Sequence, residues 1–153
     1  MSDTKTLKSL GGTTKYTFTK PDPKILETFT NQHPENLYLI NLQCNEFTSV
    51  CPKTGQPDWG KFTIRYVPDK LCVESKSLKL YLLSFRNHGE FHEDVTNRIA
   101  NDLDKLLKPF YLQIYGEFNS RGGISINPFV EIWNKENRKN EESIEKLLKH
   151  TEK

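Results

Sequence analysis

Apolar and polar positions divide the chain into extended and helical stretches. Leu37 to Gln43 (Leu-Tyr-Leu-Ile-Asn-Leu-Gln) is dense in apolar residues, and Lys61 to Val67 alternates apolar with polar at period two, the spacing of a strand with one buried face. Leu78, Leu82 and Phe85 recur at i, i+4, i+7. Val95, Ile99, Leu103 and Leu106 carry a similar stripe after Asn87, His88 and Gly89 interrupt it. Two helices with a break between them are predicted. Pro109 ends the second, and Tyr111 to Phe118 and Ile124 to Trp133 follow as strands joined through residues 119–123. The predicted order is strand, strand, helix, helix, strand, strand: an α+β fold in which two helices cover one face of a four-stranded antiparallel sheet. Such a sheet keeps one open face and two open edges. Leu37 to Leu42 is too apolar to stay wet, which predicts a homo-oligomer that continues the sheet across subunits.

The flanks differ from this middle. Residues 1–30 are rich in Thr, Lys, Pro and Gly, and Pro21 and Pro23 limit helix, so they are expected to form an arm ahead of a domain spanning 31–133. Residues 134–153 form a charged tail of mostly Lys, Glu and Asn. There Ile144, Leu147 and Leu148 make a narrow seam, and Glu142 with Lys146 and Glu145 with Lys149 support a short surface helix. A chain of 153 residues suits one core. A net charge of +2 is below what a dedicated nucleic-acid binder carries. No apolar run is long enough to span a bilayer and no apolar signal segment follows Met1, so a soluble, cytoplasmic protein without direct nucleic-acid or membrane partners is expected. Cys44, Cys51 and Cys72 are an odd set without paired spacing, which predicts free thiols.

The segment Cys51-Pro52-Lys53-Thr54-Gly55-Gln56-Pro57-Asp58-Trp59 concentrates chemistry. Two prolines and a glycine stiffen a short connection that carries a cysteine and a carboxylate. A thiolate is nucleophilic where positive charge or hydrogen bonds stabilise it, and Lys53 and His92 are candidates for that. A carboxyl beside Trp59 is expected to be partly desolvated and to hold a proton for donation. A lone cysteine is more often a small buried hydrophobe; the turn around Cys51 argues against that, whereas Cys44 and Cys72 keep it. Ser75 is a candidate cap for the first helix, with Glu74 favourably placed near its dipole. Lys76 and Lys79 share a helical face, and Arg121 sits in a Gly-rich turn. His88, His92 and Cys51 have the spacing of a weak zinc site, although Gly89 disfavours continuous helix there.

Together, Cys51 to Asp58, Glu74 to Tyr81 (Glu-Ser-Lys-Ser-Leu-Lys-Leu-Tyr) and Ser84 to Asp94, with Phe-Arg-Asn-His-Gly, closely resemble the QueF-type NADPH-dependent nitrile reductases. These enzymes make 7-aminomethyl-7-deazaguanine for queuosine in tRNA. The resemblance runs from about Leu10 to Trp133 and is to the short single-domain form. It implies a tunnelling fold (T-fold), with sheets of several subunits joined in a barrel and active sites at subunit interfaces, as a decamer of two pentamers. It further implies a deazapurine substrate, NADPH as cofactor and no metal. Cys51 would attack the nitrile of 7-cyano-7-deazaguanine to form a thioimide, with Asp58 as proton donor and His92 beside the substrate. Glu93 would clamp the base, Val73, Glu74 and Ser75 would line its pocket, and Lys76, Lys79 and Arg121 would meet NADPH phosphates. The arm is a candidate for closing the site.

Two other readings compete. A zinc-dependent cyclohydrolase or pterin-type enzyme of the same fold would use Cys51, His88 and His92 as ligands and would retain zinc. A non-catalytic RNA-binding module would show salt-sensitive affinity indifferent to Cys51→Ala.

Overall fold

The computed structural model describes residues 4–134, 136 and 140–151; the remaining residues of the expected arm and tail lie outside the described set. The elements run β1 (Thr28–Thr30), β2 (Ile40–Val50), β3 (Pro57–Val67), β4 (Leu71–Val73), α1 (Ser75–Leu83), α2 (His92–Leu107), β5 (Tyr111–Phe118), β6 (Phe129–Trp133) and α3 (Glu141–His150). Strands β2-β3-β5-β6 form an antiparallel sheet in that spatial order. A second, two-stranded sheet pairs β1 with β4, which the sequence pattern does not predict.

Period-two alternation sorts the side chains of the main sheet. Phe62, Ile64 and Tyr66 of β3 and Leu112, Ile114 and Phe118 of β5 point into the core, where they meet Val95, Ile99, Leu103 and Leu107 of α2 and Leu78, Tyr81 and Leu82 of α1. The other face is more polar, as in the Lys61–Glu117 ion pair at 3.3 Å. α3 packs on that second face: Ile144 is buried against Val67 and Tyr111. Arg65 donates to the Leu148 carbonyl (3.3 Å) and to the Thr151 hydroxyl, placing a cation at the negative end of α3.

Several boundaries differ from the sequence pattern. The first long strand starts at Ile40 and continues to Val50, so the loop holding Cys51 is a tight hairpin connection. Leu37 and Leu39 owe their apolar character to packing against the cluster of Val67, Tyr111 and Ile144 rather than to strand pairing. β6 begins at Phe129; Ile124 makes only an isolated bridge with Arg121, and Pro128 cannot donate to a ladder. Glu74, not Ser75, caps α1: its carboxylate accepts the N–H groups of Lys76 (2.8 Å) and Ser77 (2.7 Å). A longer acidic side chain reaches two orphan donors where Ser75 has already entered the helix.

One irregularity sets the orientation of the site. Cys44 pairs with Phe62 but Phe47 pairs with Gly60, so β2 carries one extra residue between them. Leu42 and Cys44 pack against the core, and strict alternation would turn Phe47, Ser49 and Cys51 away from it. The bulge reverses the parity, and Phe47 and Ser49 are buried. Phe47, Phe62 and Phe118 then meet edge to face. Gly116 makes room for them, since a Cβ there would lie 2.9 Å from the Phe62 ring.

The arm is tied to the body. Leu26 is part of the core, and the Glu27 carboxylate accepts the N–H groups of Lys8 (3.0 Å) and Ser9 (3.1 Å). Asn87 donates its N–H to the Phe18 carbonyl (2.6 Å), and the Arg86 guanidinium lies over the Phe18 ring.

Candidate active site

The connection from β2 to β3 is one helical turn. Cys51 N–H donates to the Gln56 carbonyl (2.8 Å), and Gly55 N–H donates to the Cys51 carbonyl (2.9 Å). Pro52 occupies the first position of the turn, where its missing N–H costs nothing, and Gly55 leaves it with φ 69°, a conformation costly for other residues. Cys51 therefore stands where an N-cap residue stands, with the following N–H groups converging on its side chain. Its thiol is lowered from 9.0 to about 7 by the Thr54 hydroxyl first, then by the N–H groups of Thr54 and Lys53; partial burial opposes them and Arg121 adds to them. Thr54 Oγ1 also accepts the Gln56 N–H (3.3 Å), which leaves its proton for the sulfur. Lys53 thus acts through its backbone rather than its ammonium, and His92 is engaged elsewhere. Sequence reasoning missed Thr54, because a threonine in a turn carries no distinguishing signal.

Asp58, the second residue of β3, faces the helices and is buried. Arg121 Nη2 lies 2.9 Å from Asp58 Oδ1 and 3.1 Å from Oδ2, and His92 Nε2 lies 3.2 Å from Oδ2. The His92 ring opens α2 and is stacked on Phe118 at 3.9 Å between centroids and 6° between planes. Its approach to Asp58 is close enough for ion pairing yet lacks hydrogen-bond geometry, so both buried ring nitrogens are without a hydrogen bond. Ser49, the register partner of Asp58, buries its hydroxyl without a partner as well. Buried polar atoms left open are costly in an ordinary core, and three of them cluster here around one carboxylate. Trp59 is 55% exposed and points to the opposite face, so the helix side of the sheet, not the indole, shields Asp58.

The remaining expected site residues fall into two groups. Glu93 follows His92 in the first turn of α2 and is exposed beside the cluster. Val73, Glu74 and Ser75 lie elsewhere: Val73 N–H donates to the Tyr66 hydroxyl (3.1 Å), and Tyr66 is eight residues along β3 from Asp58, about 26 Å at a strand's rise. The structure brings Cys51, Asp58, His92 and Arg121 together; within one protomer it does not bring residues 73–75 to them. Arg121, expected at a phosphate, is paired with the acid instead. Lys76 donates to the Gly12 carbonyl at 3.4 Å, and Lys79 and Ser75 line a groove of about 500 Å³ with Cys44, Phe47, Leu78 and Leu82. His88 and His92 do not converge as zinc ligands: His88 Nε2 is 3.0 Å from Glu90 and His92 turns to Asp58. Among the described residues, no group of three or more His, Cys, Asp or Glu side chains is placed to hold a metal.

Comparison with known proteins gives the family. A family model described as "QueF-like protein" matches residues 57–139. Curated relatives named "NADPH-dependent 7-cyano-7-deazaguanine reductase" from Bacillus cytotoxicus and Bacillus thuringiensis subsp. konkukian are each 56% identical over 128 residues, 83% of this chain and 77% of theirs. The chain belongs to this family of QueF-type reductases. The crystal structure of the archaeosine synthase QueF-Like in the apo form superposes with a TM-score of 0.58 at 19% identity, covering 63% of this chain and 93% of that one, a likeness of fold. With the sheet order and the paired helices on one face, it makes the architecture the T-fold. The QueF-like match includes Asp58, Glu74, His92 and Arg121 and ends before α3. No helix among the described residues is long and apolar enough to cross a membrane.

Proposed function

We propose that the chain is an NADPH-dependent 7-cyano-7-deazaguanine reductase of queuosine biosynthesis, working through a covalent thioimide on Cys51. The observation that carries this reading is the Cys51 thiol at the head of a turn whose N–H groups converge on it, beside the buried carboxyl of Asp58; those hydrogen bonds lower its pKa to about 7. The Cys51 thiolate attacks the nitrile carbon: an S–C bond forms, one π bond of the nitrile opens, and Asp58 gives its proton to the nitrogen. His92, with Nε2 3.2 Å from that carboxylate, stands beside it as an ion-pair partner, and Arg121 fixes the orientation of the carboxylate. Bound NADPH, two molecules in turn, supplies the hydrides that carry the carbon to the primary amine. Between them Cys51 departs as thiolate, the leaving group its low pKa favours, and the enclosed cluster keeps water from the imine.

For recognition, the Glu93 carboxylate accepts the ring N–H and exocyclic amine of the base in a charge-assisted pair. Lys76 and Lys79 suit the cofactor phosphates. The first amides of α1 are already taken by Glu74, so the lysine ammonium groups rather than the helix terminus would meet them. Residues 73–75 complete the base pocket from a neighbouring subunit, because their own protomer holds them at the far end of β3. The outer edges of β2 and β6, unpaired in the sheet, suit a homo-oligomer that closes the sheet into a barrel, in line with two stacked pentamers. An unpaired thiolate nucleophile fits the reducing cytoplasm.

The test is NADPH oxidation by purified protein given 7-cyano-7-deazaguanine. Two NADPH are expected per amine formed, with turnover abolished by Cys51→Ala and lowered about 100-fold or more by Asp58→Asn in a folded protein. Wild-type protein that oxidises no NADPH with this substrate would overturn the proposal.

A further inference from the structure

We propose that Glu90 is a positioning residue for the nucleophile: with His88, Gly89 and Arg98 it forms a clasp that holds the Cys51 turn in place from outside the sheet. This rests on the reading of Cys51 as the nucleophile and adds the part of the molecule that holds it. β2 is an edge strand, so the backbone groups of Val50 find no strand beyond them. The segment between the two helices supplies the partners. Val50 N–H donates to the His88 carbonyl (3.2 Å), and Glu90 N–H donates to the Val50 carbonyl (3.3 Å), a parallel bridge centred on Gly89. On the other side of the cysteine, Gly89 abuts Pro52: a Cβ on Gly89 would lie 3.0 Å from Pro52 Cα. The segment thus touches both chain neighbours of Cys51.

Three residues outside any regular element do not stay in place unaided. Here the Glu90 carboxylate binds them to the body of the protein. Oε2 lies 3.0 Å from His88 Nε2, and Oε1 lies 3.0 Å from Arg98 Nε, with the Glu90 side chain only 14% exposed. Arg98 stands on α2, the helix that opens with His92, so the clasp ties the thiol's turn to the element carrying its acid's partner. Convergence of N–H groups on a sulfur is sensitive to displacements well under an ångström, and a bond between charged, partly buried groups resists such displacements.

The experiment uses the full chain and iodoacetamide, which needs neither nitrile nor NADPH, so its outcome is separate from that of the reductase assay. Alkylation of Cys51 is followed by peptide mass spectrometry between about pH 5.5 and pH 9, alongside thermal melts. Glu90→Ala removes the carboxylate; Gly89→Ala leaves it and wedges the segment away from Pro52. In both, the midpoint of the alkylation profile should move upward by roughly half a unit or more, and the rate at neutral pH should fall about twofold or more. If Glu90→Ala does not fold, Gly89→Ala decides. A folded variant with the wild-type midpoint and rate overturns the proposal, including one whose melting temperature alone has dropped.

Discussion

At the scale of single residues, the proposed chemistry rests on how Cys51 is solvated by its own turn. The thiol is depressed, so its reactive thiolate dominates above about pH 7 and is lost as pH falls through that value. The largest contributor is the Thr54 hydroxyl, which makes a sharp expectation. Thr54→Val keeps the shape of the turn and both N–H groups but removes that donor. The midpoint of Cys51 alkylation should rise toward 9.0, and a rise of about one unit lowers the rate at pH 7 roughly fivefold. An unshifted profile would remove Thr54 from the site. The cysteine and the aspartate were visible in the sequence because prolines and a glycine hold them on one short loop. Thr54 and Ser49 were not, because hydroxyls are ordinary in turns and strands, and only their place beside Sγ and Asp58 gives them meaning. Trp59 shows the converse: adjacency in sequence suggested shielding, yet successive strand residues face opposite ways.

At the scale of elements, periodicity identified both core helices and the strands β3 and β5, since each buries one face against the same core. It failed where burial has another cause. Leu37 and Leu39 pack against the cluster built around α3, and β1 joins β4 through backbone pairing that three residues barely record. The bulge in β2 is invisible as a pattern, although it alone turns Ser49 and Cys51 toward the helices. The start of α1 offers a direct check. Both Glu74 oxygens hold helix N–H groups, so Glu74→Ala should lower stability by about 1–2 kcal/mol in urea unfolding, whereas Ser75→Ala should cost less than about 0.5 kcal/mol. Equal losses would return the capping role to Ser75. The double engagement also means that the Glu74 carboxylate is already ordered by the helix.

At the scale of the whole molecule, the proposed site residues lie at two ends of the protomer. Cys51, Asp58, His92, Glu93 and Arg121 gather where β2 turns into β3, while residues 73–75 sit near Tyr66 at the other end of β3. In the proposed homo-oligomer, the unpaired edges at β2 and β6 would let one sheet continue into the next and bring the two ends of different protomers together. Element order and open edges were legible in the sequence, but which end of the sheet each site residue occupies depends on strand length and direction. The central claim is that the Cys51 sulfur forms a bond to the nitrile carbon. Intact-mass measurement after adding 7-cyano-7-deazaguanine without NADPH tests it most directly. One substrate mass added per subunit, absent in Cys51→Ala, is the expected result; no added mass on wild-type protein, under conditions where it turns over with NADPH, would contradict it.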